Sequence, residues 1–152
     1  MAFSYACQSN KNQDTSALLE EYFQPFPNII QPLDPDLASQ SVKEQAFKLY
    51  NIGKYDQARI LFDELQLSLN DPEVDFYHGI CLMKLNQPDE ALKLFRGISK
   101  NVQFYDHARW YSALAYLQNG EIDKAKDLLK SISEKAGMVY NQEQAKKLLN
   151  RL

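Results

Sequence analysis

The stretch AFKLYNIGKYDQARILFDEL, Ala46 to Leu65, decides how this chain folds. A small residue, Ala46, opens it, Gly53 follows, then Ala58, and bulky Phe62 and Leu65 close it. GICLMKLNQPDEALKLFRGI, Gly79 to Ile98, repeats the pattern with Gly79, Asn86, Ala91, Phe95 and Ile98. ALAYLQNGEIDKAKDLLKSI, Ala113 to Ile132, repeats it again with Ala113, Gly120, Ala125, Leu129 and Ile132. The inner alanines are separated by 33 residues (91 minus 58) and 34 residues (125 minus 91). A fixed period of this length is the signature of a stacked repeat architecture.

Each residue type has a physical task. Gly or Asn supplies the left-handed conformation that ends one helix. A second helix then begins almost at once and folds back. Small residues let the two axes approach, and bulky residues three and four apart form one apolar stripe. One hairpin cannot bury that stripe alone, so copies stack. Helix-start signals share the phase. Asp71, Pro72 and Glu73 supply an N-cap, a proline at the first helical position and an early acid. Pro88, Asp89 and Glu90 play a similar part for the next helix.

The period and these residue types resemble the tetratricopeptide repeat family, from about Ser39 to Glu134. GKYDQA, Gly53 to Ala58, is similar to the family's inter-helix turn; NQPDEA, Asn86 to Ala91, and NGEIDKA, Asn119 to Ala125, follow it more loosely. Where the family often has a large aromatic early in the first helix, this chain has Val42, Asp75 and Arg109, with Phe76 and Trp110 one residue later. The resemblance implies an all-α fold, a right-handed superhelix of antiparallel helix hairpins. Three repeats are expected at about 39–71, 72–104 and 105–138, followed by a capping helix at 141–152 with Ala145, Leu148, Leu149 and Leu152 on its apolar side. Residues 38–152 then form the repeat domain, and 1–37 form a segment of different character.

In that segment, Asp14 or Thr15 can cap a short helix running through Phe23. QPFPNIIQPLDPD, Gln24 to Asp36, follows with four prolines, which forbid a regular helix. Phe26, Ile29, Ile30 and Leu33 make it too apolar for a free linker, so it should pack along the repeats. Two placements are open: a cap on the convex side or the end of the stack, or a strap in the concave groove that a partner displaces. Small bacterial proteins with a similar Tyr-Phe-x-Pro-aromatic-Pro-Asn stretch ahead of such repeats exist, some with an upstream membrane anchor; the matching residues here are Tyr22, Phe23, Pro25, Phe26, Pro27 and Asn28.

Composition narrows the function. The 152 residues carry a net charge of −3, and no stretch concentrates Lys and Arg, so the basic face that nucleic-acid binding needs is absent. No apolar run is long enough to span a bilayer. The start, MAFSYACQSNKN, is too short and lacks the basic residue of a secretory signal, so the chain as written is expected in the cytoplasm; an anchor removed upstream would make it periplasmic or membrane-tethered. Cys7 and Cys81 form no CxxC pair, and no metal or cofactor is expected. Asp34 and Asp36 lack the glycine and distal Glu of a calcium loop. His78 falls on an apolar helix position and reads as a satisfied half-buried side chain, while His107 beside Asp106 has no third member for catalysis. No enzyme motif is present, so the chain is read as a non-enzyme.

The resemblance also implies a binding surface. In the family, the first helix of each hairpin lines the concave groove. By repeat phase the lining residues are Lys43, Phe47 and Tyr50; Phe76, Tyr77, Ile80 and Met83; and Trp110, Tyr111, Leu114 and Leu117. Such an aromatic surface suits an amphipathic helix or an extended apolar peptide of a protein partner; the alternative for each residue is structural core. Some family members hold a peptide's C-terminal carboxylate with Lys, Asn and Arg. The matching positions are Lys43, Phe47, Tyr77, His107 and Tyr111, of which only Lys43 keeps a permanent cation, so that role is disfavoured. The expected function is a protein–protein adaptor or scaffold; the alternative is a self-associating structural subunit of a larger assembly.

Overall fold

The computed structural model describes residues 15–29, 41–67, 70–137 and 139–152. Cys7, Asp14, Ile30, Leu33, Asp34 and Asp36, singled out above, lie outside the described residues. Among the described residues there are eight helices and no strand. They are α1 (residues 15–22), α2 (Val42–Asn51), α3 (Tyr55–Gln66), α4 (Pro72–Lys84), α5 (Pro88–Gly97), α6 (Tyr105–Gln118), α7 (Ile122–Ser133) and α8 (Gln142–Leu149). None of them is long and apolar enough to cross a membrane. The chain divides into two compact units: Pro25–Tyr105, and Met1–Gln24 with Asp106–Leu152.

In the Pro25–Tyr105 unit, α2 packs on α3, α3 on α4 and α4 on α5. Ser41 starts α2 with a reciprocal cap: its hydroxyl accepts from the Glu44 amide at 3.3 Å, and its own amide donates to the Glu44 carboxylate at 2.6 Å. This is a capping box, two end amides satisfied by one residue pair. The Asp71 carboxylate caps α4 by accepting from the Glu73 amide at 3.0 Å, with Pro72 at the first position. The turns between paired helices use left-handed residues, Gly53 (φ 76°) and Asn86 (φ 58°). Ala58 and Ala91, inner residues of the second helices, are fully buried. Gly79 on α4 leaves room for the Phe95 ring of α5, because a Cβ there would lie 2.7 Å from Phe95 Cζ.

The second unit holds α1, α6, α7 and α8. Gly120 (φ 74°) makes the turn from α6 to α7, and Ala125 is fully buried like its two counterparts. Arg109 on α6 donates to the Ser131 hydroxyl on α7 at 2.7 Å. α8 packs on α7, burying Ala145 and Leu148, while Lys146 and Lys147 stay exposed. Gln142 ties this helix back by donating to the Lys135 carbonyl at 2.7 Å and to that of Ser133 at 3.2 Å. α1 buries Leu18, and its Glu21 carboxylate pairs with Arg151 at 2.6 Å.

Candidate peptide-binding surface

Lys43 stands apart from the other first-helix residues. It is half-buried, and its ammonium lies 2.7 Å from the carboxylates of both Asp71 and Glu73. Burial alone would lower its pKa, but the bonds to Asp71 and Glu73 outweigh that and hold it above the ordinary lysine value. The cation is therefore engaged in tying α2 to the start of α4.

In the Pro25–Tyr105 unit, the other first-helix residues form a buried aromatic cluster. Phe47, Tyr50, Phe76, Tyr77, Ile80 and Met83 are each at most 4% exposed. Tyr77 is the hub: Phe47, Tyr50 and Phe76 meet it edge-on with ring centroids at 4.9, 5.1 and 5.3 Å. What covers this cluster is the chain's own non-helical stretch. Phe26 packs edge-on against Phe76 at 5.5 Å and Phe104 at 6.3 Å. The Tyr50 hydroxyl donates to the Phe26 carbonyl at 2.5 Å, and the Tyr77 hydroxyl donates to the Pro27 carbonyl at 3.0 Å. The Ile29 amide donates in turn to the Tyr77 hydroxyl at 3.3 Å. Burial pushes the Tyr77 hydroxyl up to about 12, so it remains a neutral donor throughout the ordinary pH range.

In the other unit the same arrangement recurs on α6. Trp110, Tyr111, Leu114 and Leu117 are at most 2% exposed. Tyr22 lies over Trp110 at 6.3 Å, and Phe23 meets Tyr111 edge-on at 6.1 Å. The Tyr111 hydroxyl donates to the Gln24 carbonyl at 2.6 Å. Tyr140, also hydrogen-bonded to Tyr111, has its pKa raised by burial and stacks near His107 at 4.0 Å. A cavity of about 380 Å3 remains beside these rings, lined by Tyr22, Gln24, Trp110, Tyr111, Tyr140 and Asn141 among others. Of the two placements open to the N-terminal stretch, its described residues thus take the first-helix side in each unit.

Two side chains here were not singled out from sequence. Phe104 is 5% exposed and stacks on Phe76 at 4.8 Å. The available signal was an apolar ring immediately ahead of a helix start. Tyr140 carried no repeat signal, because it follows the last periodic copy.

The titratable groups are structural in placement. His78 is 2% exposed; Nδ1 lies 3.1 Å from Gln66 Oε1 and Nε2 3.4 Å from the Asp63 carboxylate. Burial drives its pKa down to about 4 against the pull of Asp63, with Arg59 adding to the fall. Cys81 is a free, buried thiol raised well above its ordinary value by burial. Among the described residues, no group of three or more His, Cys, Asp and Glu is placed to hold a metal ion. The positions matching a carboxylate clamp are otherwise occupied: Lys43 by two carboxylates, Tyr77 and Tyr111 by main-chain carbonyls, Phe47 by its ring neighbours and His107 by Tyr140.

The comparison with known families agrees with the helix pairs and their turns. The tetratricopeptide repeat model matches residues 82–152. Over those residues this is a tetratricopeptide repeat protein. No curated protein and no solved structure matches the chain. Tetratricopeptide repeats generally mediate protein–protein interaction and are generally non-catalytic.

Proposed function

We propose that this tetratricopeptide repeat protein is an adaptor that binds a segment of another polypeptide through its first-helix residues. In one unit these are Lys43, Phe47, Tyr50, Phe76, Tyr77, Ile80 and Met83; in the other, Trp110, Tyr111, Leu114 and Leu117. One observation supports the reading above all: Tyr50, Tyr77 and Tyr111 each donate a hydroxyl to a main-chain carbonyl of a non-helical stretch. That is a way of holding a peptide, and it works on any residue that presents a carbonyl at the right place. Aromatic side chains beneath such a peptide supply large apolar area with little conformational entropy to lose. Lys43 serves this surface as a brace between helices.

The test is photo-crosslinking in cells with a benzoylphenylalanine at position 77. Adducts with a second polypeptide support the adaptor. Adducts confined to residues of the same chain overturn it.

A second reading, a self-associating subunit, has its own observation. Ile60 on α3 and Leu67, the C-cap that follows it, are 58% and 91% exposed. The same crosslinking experiment yields adducts between two copies in that case, and light scattering across dilution shows the dimer.

A further inference from the structure

The Pro25–Tyr105 unit holds Phe26 in a socket whose chemistry is selective at one position and permissive at the next. The Phe26 ring is 8% exposed and meets the stacked pair of Phe76 and Phe104 edge-on, with Tyr77 at 6.3 Å. Three hydrogen bonds join the socket to this stretch through a tyrosine hydroxyl and main chain: Tyr50 to the Phe26 carbonyl, Tyr77 to the Pro27 carbonyl, and the Ile29 amide back to Tyr77. Proline suits the site physically. It has no amide hydrogen, so Pro25 and Pro27 bring no donor that an aromatic wall would leave unsatisfied. A following proline also biases Phe26 away from helix and toward an extended backbone, lowering the entropy lost on docking. The Ile29 side chain is 56% exposed, so at that residue only the main chain is held.

We infer that the socket of Tyr50, Phe76, Tyr77 and Phe104 is a recognition site for an aromatic–proline pair presented in extended form by another polypeptide, and that Phe26 and Pro27 of this chain occupy it as a stand-in. The inference rests on the adaptor reading and names the chemistry of the partner segment. The chain's own segment competes with the partner, and the apparent affinity falls by the fraction of molecules whose socket is open. The partner's aromatic ring fills the place of Phe26, its proline follows directly, and its two carbonyls accept from Tyr50 and Tyr77.

The experiment uses the full chain and a fluorescent peptide of sequence Gln-Pro-Phe-Pro-Asn-Ile, copied from residues 24–29. Anisotropy titrations compare wild type with Phe26→Asp and the milder Phe26→Ala. The expected result is binding to a folded Phe26 variant about tenfold or more tighter than to wild type, following the opened fraction. A peptide with alanine in place of its phenylalanine should not bind, and adding Tyr50→Phe and Tyr77→Phe to the open variant should weaken binding. A folded open variant, with wild-type helical circular dichroism, that binds the peptide no better than wild type overturns the inference. Loss of folding in both Phe26 variants also overturns it, because the stretch is then core and not an occupant. A wild-type dimer that Phe26→Asp dissociates overturns exchange with a different polypeptide and assigns the socket to a second copy. The two readings fail separately. An open variant that ignores the peptide yet still crosslinks a second polypeptide at position 77 leaves the adaptor standing without this partner chemistry.

Discussion

Exchanging glycine for alanine at two positions should move stability in opposite directions. At Gly79, an added methyl would fall onto the Phe95 ring, on Cε1 and with Cζ at 2.7 Å and Cδ1 at 3.0 Å. Phe95 is 3% exposed and already packed against Phe76 at 6.1 Å, so the ring has little room to retreat. Overpacking of this kind costs about 1–3 kcal/mol, and alanine's better helix propensity returns at most about 1 kcal/mol. The net expectation for Gly79→Ala is a loss of about 1–2 kcal/mol, or about 2–8 °C in Tm for a chain of this size. At Gly97, also helical, a Cβ meets nothing within 4 Å. Gly97→Ala should therefore gain about 0.5–1 kcal/mol, chiefly by restricting the unfolded chain. Urea unfolding of both variants beside wild type gives the two signs directly. If Gly79→Ala is as stable as Gly97→Ala, then the Phe95 ring of α5 does not lie against Gly79 as described, and the assignment of Gly79 to the hairpin contact is wrong.

Three further predictions follow from burial and bonding. Phe76→Ala and Trp110→Ala remove fully buried rings and should each cost about 3–5 kcal/mol, read as a fall in denaturant midpoint; near-wild-type midpoints would mean that these rings are spare surface. His78 has a folded pKa of about 4 against an ordinary 6.5, so its contribution is complete above about pH 6.5 and is lost as pH falls toward 4. Between pH 7 and pH 5 that loss should be about 2 kcal/mol, and His78→Gln should flatten the slope; an equal slope in both proteins refutes the assignment. Tyr111→Phe removes the bond to the Gln24 carbonyl and should cost about 0.5–1.5 kcal/mol, with faster chymotrypsin cleavage after Tyr22 or Phe23; an unchanged cleavage rate contradicts a holding role for that hydroxyl.

The repeats were legible because their demands are local and periodic. Ala58, Ala91 and Ala125 are fully buried, as their shared phase required, and Gly53, Asn86 and Gly120 all take the left-handed turn. The capping residues of α4 were equally plain, since Asp71 and Pro72 act within one turn of their own position. The Ser41–Glu44 capping box is likewise local, written in the sequence as Ser-x-x-Glu. The helix-facing residues Phe76 and Trp110 could be named, but their state of cover could not. That cover comes from Tyr22 to Ile29, which has no period and is held through carbonyl oxygens that every residue possesses. Composition said that this stretch packs; nothing in it said against which helices. The ion pairs of Lys43 were not legible, because its two carboxylate partners lie 28 and 30 residues away.

The tyrosine-to-carbonyl bonds have a consequence for how this protein drifts over generations. A hydroxyl that holds a carbonyl is blind to the side chain on the same residue. At Gln24, whose side chain is exposed while its carbonyl is held, substitutions leave the Tyr111 bond intact. Phe26 has no such latitude, because its ring as well as its carbonyl is held. Change should therefore accumulate unevenly along a few consecutive residues: freely where only backbone is gripped, and at position 26 only in step with Phe76 and Phe104.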